Sequence, residues 1–207
     1  MALLDEAARK RIEAAIHEVE RSTAGEIVVV SVPRSDDYDE IRLLYAAACA
    51  YAAAMLAHLL WPALSVVWLL WVHAGVTALG WLVLGWAPLL RAVLPRARIE
   101  AAVQRRAREE FLEHNVFATR DRSGVLLLLS ELEHRVVLLG DRGIHERVHT
   151  AGWEQHVQHL VRAIRERRAA DGVCEVIAEL GSVLAAQFPR RADDSNELPN
   201  AVKQEDR

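Results

Sequence analysis

The stretch GVLLLLSELEHRVVLLGDRG at residues 124–143 decides the fold. It contains two apolar runs, 124–130 and 135–140, which are rich in Val and Leu and flank the short polar segment 131–134. Runs of this length and composition predict β-strands, and so short a polar segment between them predicts an antiparallel hairpin. The chain is therefore expected to contain a sheet, with its other strands and helices before and after this hairpin.

A third strand is predicted much earlier in the chain, in EIVVVSVP at residues 26–33. The run is almost continuously apolar and β-branched, which is typical of a strand covered on both faces, and Pro33 ends it. An amphipathic helix is predicted before it, at 3–21. The connection from this strand to the run at 124–130 is long and contains a helix, which favours parallel pairing of the two strands.

Amphipathic helices account for most of the remaining polar sequence. They are predicted at 97–115, from about 144, from 153 to about 168, and from 172 to about 187. With the three strands they predict an α/β fold, in which a small mixed sheet is covered by helices on both faces as an α/β/α sandwich. The last residues, 190–207, have no apolar periodicity and are expected to form a disordered tail.

An uncharged segment interrupts this fold. Although 26% of the chain is charged, the 48 residues from 43 to 90 contain no Asp, Glu, Lys or Arg. A bilayer core is crossed by roughly 20 helical residues, so this segment is expected to form two transmembrane helices with a break at Trp61-Pro62. The predicted parts are 1–41, the first part of the α/β domain; 42–91, a transmembrane helical hairpin; 92–189, the second part of the domain; and 190–207, the tail.

Charges around the uncharged segment predict its orientation. Arginines flank both ends, whereas the turn between the two predicted spans has no charge; the flanking residues are Arg42, Arg91, Arg96, Arg98, Arg105 and Arg106. The positive-inside rule then places both termini and the α/β domain in the cytoplasm, with the lipid bilayer as a partner through residues 43–90. The net charge of −4 gives no indication of nucleic-acid binding.

A candidate site is predicted at one edge of the sheet. Parallel pairing of the first two strands brings their starts to the edge where the antiparallel third strand ends. Glu26, Asp121 and Asp141 fall at this edge, and Arg120, Arg122 and Arg142 are beside them. Carboxylates that converge there are suitable ligands for Ca²⁺ or Mg²⁺, and the arginines are suitable for phosphate oxygens. The alternative is that these are solvated turn residues.

A second candidate site is the stretch HERVHTAGWEQH at 145–156, which begins with the pattern H-E-x-x-H. On one helix, this pattern would give two zinc ligands, His145 and His149, with Glu146 as the base that activates water. His156 or Glu175 would supply the third ligand. Glycines bracket the motif and leave barely two helical turns, so the alternative is a short amphipathic helix with its apolar residues facing the sheet.

Four stretches together resemble the TPM domain. They are ERSTAGEIVVVSV at 20–32, ATRDRSGVLLLLSELEHRVVLLGDRGIHERV at 118–148, the predicted helix from Trp153, and FPRRADDSNELPN at 188–200. The TPM domain is found in a thylakoid-lumen protein involved in photosystem II repair and in related bacterial and animal membrane proteins. The chain is similar to the bacterial subgroup in which two spans interrupt the domain before its second strand.

The resemblance implies an α/β/α sandwich and two kinds of function. Some TPM domains are described as acid phosphatases and as calcium-binding, and others act as accessory subunits of membrane proteins. Asp121 in TRDRSG and Asp141 in GDRGI occupy the acidic loop positions of the family.

Three functions are therefore expected in order of preference. The first is a cytoplasmic interaction or accessory module, anchored in a bacterial inner membrane beside a membrane-protein partner. The second is a divalent-metal-dependent phosphatase with Asp121 and Asp141 as catalytic residues and Glu26 as a further ligand of Ca²⁺ or Mg²⁺. The third is a zinc peptidase that uses His145, Glu146 and His149.

Overall fold

The computed structural model describes residues 4–148, 153–166, 168–191 and 197–204. The chain forms two compact units: a sheet unit, Met1–Ser35 with Glu100–Arg207, and a hairpin unit, Asp36–Ile99. The helices are α1 (Glu6–Glu20), α2 (Asp39–Leu60), α3 (Val66–Val83), α4 (Ala87–Val93), α5 (Arg96–Glu113), α6 (Arg142–Arg147), α7 (Trp153–Arg165) and α8 (Ala169–Gln187). The strands are β1 (Glu26–Val32), β2 (Gly124–Ser130), β3 (Arg135–Gly140) and β4 (Lys203–Gln204), and a 3₁₀ turn covers Val116–Ala118.

The sheet has the strand order β3-β2-β1-β4. β1 and β2 are parallel, with Glu26 opposite Gly124, and β2 and β3 are antiparallel, with Val125 opposite Gly140. The three predicted strands and their directions are confirmed. The α/β fold class with a small mixed sheet is therefore confirmed as well.

The described part of the predicted tail adds a strand that the sequence pattern did not predict. Lys203 pairs with Val30 and Gln204 with Ser31, in parallel with β1. Leu198 and Val202 are buried, so the segment 197–204 is part of the packed unit and the expectation of a disordered tail does not hold for it. The strand has only two residues, both polar, and only two isolated buried apolar side chains precede it in this segment. Such a pattern is too short to produce a periodic signal.

The core of the sheet unit is built on alternate residues of β1 and β2. Ile27, Val29, Val125, Leu127 and Leu129 pack with apolar residues of α1, α6, α7 and α8. Burial of each such Leu or Ile side chain contributes about 1.5–3 kcal/mol. The residues between them are buried as well, so the other face of β1 and β2 is also covered; these are Val28, Val30, Leu126 and Leu128.

The hairpin unit contains two long apolar helices. The guanidinium of Arg42, near the start of α2, lies 4.2 Å from the centre of the Trp81 ring and donates to the Trp81 carbonyl at 3.0 Å. Since Trp81 lies near the end of α3, the two helices are antiparallel. α2 ends at Leu60 and α3 begins at Val66, so the predicted break at Trp61-Pro62 is confirmed.

Both helices are long and apolar enough to cross a membrane. They have 22 and 18 residues, and each has a window of mean hydropathy 1.8. Only 11% of the α2 window and none of the α3 window is buried. These apolar residues are therefore not the core of the hairpin unit; most of their side chains are on its surface.

Candidate functional site

The three predicted carboxylates lie at one end of the sheet. Glu26 is the first residue of β1, Asp121 lies in the turn before β2, and Asp141 directly follows β3. The N–H of Asp141 donates to the carbonyl of Gly124 at 2.9 Å, which joins the end of β3 to the start of β2. The edge was thus predicted correctly from strand directions, and the contacts of each carboxylate show what it does there.

Asp141 caps a helix. Its Oδ1 accepts from the N–H of Arg142 at 2.7 Å, at the start of α6, and its side chain is almost fully buried. The Nε of Arg122 lies 3.6 Å from the other oxygen, Oδ2. No described donor makes a hydrogen bond to Oδ2. Asp141 therefore combines a structural contact with one buried oxygen that only the Arg122 charge approaches.

Asp121 is held by an arginine that the sequence did not indicate. Arg191, beyond α8, places Nη1 3.2 Å from Oδ2 of Asp121 and Nη2 3.3 Å from Oδ1. This paired geometry occupies both carboxylate oxygens. The carbonyl of Asp121 also packs against Gly143 so closely that a Cβ there would lie 2.4 Å from it. The loops before β2 and after β3 are therefore in contact.

Glu26, which is buried, forms a pair with the half-buried Glu20, the last residue of α1. Glu26 is 5% exposed, and its Oε1 accepts from the N–H of Glu197 at 3.1 Å. Glu20 accepts from the N–H of Ile27 at 3.2 Å and from the Asn200 side-chain amide. The two carboxyl groups influence each other's pKa, and a proton on one of them would let it donate to the other.

Burial and the neighbouring carboxyl explain where that proton is held. Burial and, as a smaller cause, the charge of Glu26 together raise the pKa of Glu20 to about 8. Burial also raises the pKa of Glu26, although the Glu197 N–H opposes the shift. Glu20 is therefore protonated at neutral pH.

The pair anchors the C-terminal segment 197–204. Besides the contacts of Glu197 and Asn200, the N–H of Val202 donates to Glu13 at 3.2 Å. The Glu197 side chain in turn accepts from the N–H of Arg120 at 2.9 Å. The sequence did not indicate this role of Glu20, because Glu20 looks like an ordinary charged residue at a helix end. Its partner Asn200 is far along the chain.

The predicted metal site is not assembled. Within residues 4–148, 153–166, 168–191 and 197–204, no group of three or more His, Cys, Asp or Glu side chains is arranged to hold a metal ion. The physical reason is that Glu26, Asp121 and Asp141 are each engaged elsewhere, by Glu20, Arg191 and the start of α6. The set of ligands expected for Ca²⁺ or Mg²⁺ therefore does not come together.

The predicted arginines divide between two roles. Arg122 has a left-handed backbone (φ 54°) and donates to the carbonyl of Phe117, and its Nε faces Asp141. Arg142 is exposed and pairs with Glu146 at 2.7 Å. Arg122 is therefore placed at the carboxylate edge as the sequence suggested, Arg142 is not, and the backbone N–H of Arg120 contacts Glu197.

The predicted zinc motif does not form one helical face in the described residues. α6 ends at Arg147, and Val148 has an extended backbone (φ −107°, ψ 124°). His149 lies outside the described residues. His145 is exposed, whereas Ile144 and Val148 are buried, so the short amphipathic helix is the better description.

The two residues suggested as a third zinc ligand link α7 to α8 instead. His156 lies 2.5 Å from Glu179, and Glu175 lies 3.0 Å from His159. The other ring nitrogen of His159 lies 3.2 Å from Glu179. These side chains are partly exposed and hold two packed helices together, which is a structural role.

Comparison with known proteins gives one result, on the fold. No family model matches the chain, and no curated protein matches it. A solved structure, the NMR structure of the BA42 protein from the psychrophilic bacterium Bizionia argentinensis, is similar with a TM-score of 0.62. The match covers 98% of this chain and 95% of that chain at 20% sequence identity, so it supports the fold and says nothing about function.

Proposed function

We propose that this chain is a membrane-anchored module whose sheet unit binds a partner protein at the membrane. The observation that carries the proposal is the exposure of α2 and α3: two helices of spanning length present apolar side chains that their own unit leaves uncovered. A soluble protein rarely leaves so large an apolar surface in contact with water. The bilayer is the environment that covers it.

We further propose a cytoplasmic orientation for the sheet unit and an accessory role like that of some TPM domains. The turn between α2 and α3 has no charge, and arginines follow the second helix, so the sheet unit and both termini belong on the cytoplasmic side of a bacterial inner membrane. The resemblance of residues 20–32 and 118–148 to the TPM domain supports an accessory role beside another membrane protein. In the sheet unit, Glu26 and Asp121 are engaged in internal contacts, which favours binding over catalysis.

Cysteine labelling in membrane vesicles tests the anchor. In a chain with both native cysteines replaced by alanine, Ser65→Cys in the turn and Lys10→Cys on α1 are matched reporters. A membrane-impermeant maleimide is expected to label Cys at 65 only from the outer face and Cys at 10 only from the cytoplasmic face. Labelling of both from the same face would contradict the two-span hairpin.

Photo-cross-linking in native membranes tests the binding role. A photoreactive amino acid placed at exposed positions of the sheet unit should give a defined cross-linked partner that depends on the position. Cross-linked products without a defined mass that form equally at all positions, or no cross-linked product at any position, would contradict the proposal.

A second candidate is a phosphatase that uses Asp141 and Asp121. The buried Asp141 Oδ2, which lacks a hydrogen bond from the described residues and faces Arg122, is the observation that favours it. In its metal-dependent form, this candidate would need Asp121 to release Arg191 before the two carboxylates could share a divalent ion.

Asparagine at position 141 separates the two candidates. Asn is as good a helix cap as Asp, so Asp141→Asn preserves the fold while removing the charge. The purified chain with Ca²⁺, Mg²⁺ or Mn²⁺ is assayed on a generic phosphomonoester. Hydrolysis that Asp141→Asn abolishes supports the phosphatase, and hydrolysis that survives the substitution rules out this site.

A further inference from the structure

A cleft lies beside the start of the edge strand β3. It has a volume of about 510 Å³. Glu100 of α5 lines one side, residues of α7 line the other, and β3 lies between them; the lining residues are Glu100, Arg135, Val136, Val157, Gln158, Val161, Arg162 and Arg165. From β3, Arg135 and Val136 border the cleft, so it meets the sheet edge where this strand begins.

β3 offers unpaired backbone groups to this cleft. It is the first strand in the order β3-β2-β1-β4 and pairs, among the described strands, with β2 alone. In an antiparallel pair, alternate residues direct their N–H and C=O groups away from the partner. The six residues of β3 form an edge of about 20 Å, which another strand entering at the cleft beside Arg135 and Val136 could extend.

The cleft has an apolar floor. Val136 is 7% exposed, and Val157 and Val161 of α7 are half-buried against the core. The two α7 valines are four residues apart, so they lie on the same face of the helix. A strand added beside β3 would find apolar contacts for side chains on one of its faces.

The rim of the cleft is basic. The side chains of Arg162 and Arg165 are exposed and form no ion pair with another described residue. Arg135 approaches Glu100 only at 3.9 Å, with both side chains about half exposed. Three arginines against one glutamate leave a net positive charge beside the strand edge. Carboxylates are the groups that these guanidinium groups bind best.

We propose that the cleft binds an extended, acidic peptide segment of a partner protein, which adds as a strand beside β3. Its carboxylates pair with Arg162 and Arg165, and its apolar side chains contact Val136, Val157 and Val161. This inference rests on the proposed binding function and names the partner's chemistry. A second copy of this chain is a poor occupant, because pairing two β3 edges would bring like-charged arginines together.

The test uses the full chain in a non-ionic detergent and a fluorescently labelled peptide of roughly eight residues with alternating Val and Glu, long enough to cover β3. Fluorescence anisotropy measures binding. Arg162→Glu with Arg165→Glu is expected to weaken binding by at least about tenfold. The matched control replaces two exposed residues, Lys10→Glu on α1 and Arg21→Glu directly after it. It changes the net charge equally and is expected to leave binding unchanged.

Two further probes separate strand addition from charge attraction. The same peptide with every backbone amide methylated keeps its charges but cannot donate hydrogen bonds to a strand edge, so it is expected not to bind. A Val-Lys peptide is expected not to bind either. Equal binding by the methylated peptide, or equal loss in the α1 control, would overturn the inference.

Other occupants give distinct results. Self-association in analytical ultracentrifugation that Arg162→Glu with Arg165→Glu abolishes, without peptide binding, would identify a second copy instead. Binding to phosphatidylserine vesicles that is lost in the same variant, again without peptide binding, would identify lipid headgroups. Either result would overturn the acidic peptide as occupant.

The binding function and the cleft can fail separately. If the wild type and the Arg162→Glu, Arg165→Glu variant cross-link a membrane partner equally well, the proposed binding function stands. The cleft is then not the site that binds the partner. Specific peptide binding without any partner in native membranes would retain the cleft and reject the function proposed above.

Discussion

The sheet unit and the hairpin unit use apolar sequence in opposite ways. All seven residues of β1 and all seven of β2 are buried, whereas none of the apolar window of α3 is. The helices that cover the sheet carry a polar face toward solvent, and α3 has no such face. Apolar content alone therefore does not separate a core from an anchor. The distinction comes from what the rest of each unit can cover.

Replacing one leucine by alanine in each unit is expected to give the largest difference in stability between the two units. Leu127, at the centre of β2, is 1% exposed, and Leu127→Ala is expected to destabilise the sheet unit by about 2–5 kcal/mol through the cavity it leaves. Leu79 of α3 is 60% exposed, and Leu79→Ala is expected to change stability by less than about 0.5 kcal/mol in detergent. Thermal unfolding followed by circular dichroism measures both, and equal losses would contradict the assignment of Leu79 to the surface.

Two glycines provide a sharper comparison. A Cβ on Gly124 would lie 2.0 Å from the Val116 carbonyl oxygen, so Gly124→Ala is expected to cost about 1–3 kcal/mol, or more if the loop cannot shift. A Cβ on Gly75, within α3, meets nothing within 4 Å. Gly75→Ala is expected to leave stability unchanged or to raise it by about 0.5–1 kcal/mol, because alanine favours the helix. The same unfolding measurement applies, and a neutral Gly124→Ala would reject the tight contact with the 3₁₀ turn.

The Glu20–Glu26 pair makes the sheet unit sensitive to pH. The pKa of Glu20 is about 8 when folded against an ordinary value of 4.5, so between these values the folded protein keeps a proton that the unfolded chain has released. Stability is therefore expected to fall as pH rises from about 4.5 to 8. Glu20→Gln is expected to weaken this dependence, leaving the part that comes from Glu26, and to raise stability at pH 8 by about 1 kcal/mol.

Glu18→Gln is the matched control, since Glu18 is exposed on the same helix and contacts only Arg21 in the described residues. Unfolding midpoints at pH 5, 6.5 and 8 for both variants decide the matter. A pH dependence that persists undiminished in Glu20→Gln would show that another group holds the proton.

Asp141 gives the smallest expected change. Asp141→Ala loses the cap of α6 and is expected to cost about 1 kcal/mol, whereas Asp141→Asn keeps the cap and is expected to cost only a few tenths. Urea unfolding of the two variants compares them. If Asp141→Asn destabilises the protein as much as Asp141→Ala, the contact of the carboxylate with Arg122 contributes more stability than the helix cap.

Local patterns were sufficient for β1, β2, β3 and most of the helices, but not for β4 or α4. β-branched and leucine-rich runs predicted β1, β2 and β3 to within a residue, and the uncharged run predicted two helices with a break at Pro62. Strand directions followed from the length of the connections. These properties depend on neighbouring residues, which is why the sequence alone determined the fold class and the edge at which Glu26, Asp121 and Asp141 lie.

The contacts at that edge depended on residues far along the chain. Glu26 meets Glu197, 171 positions later, and Glu20 meets Asn200, 180 positions later. Arg191 holds Asp121, and the cleft beside β3 joins α5 to α7. A single sequence carries no local sign of such pairs, because side-chain burial and charge environment arise only when distant segments pack. The sequence by itself determined the three main strands and the two long apolar helices. Only the tertiary structure decided which carboxylate keeps a proton, which is engaged by an arginine, and which edge stays open.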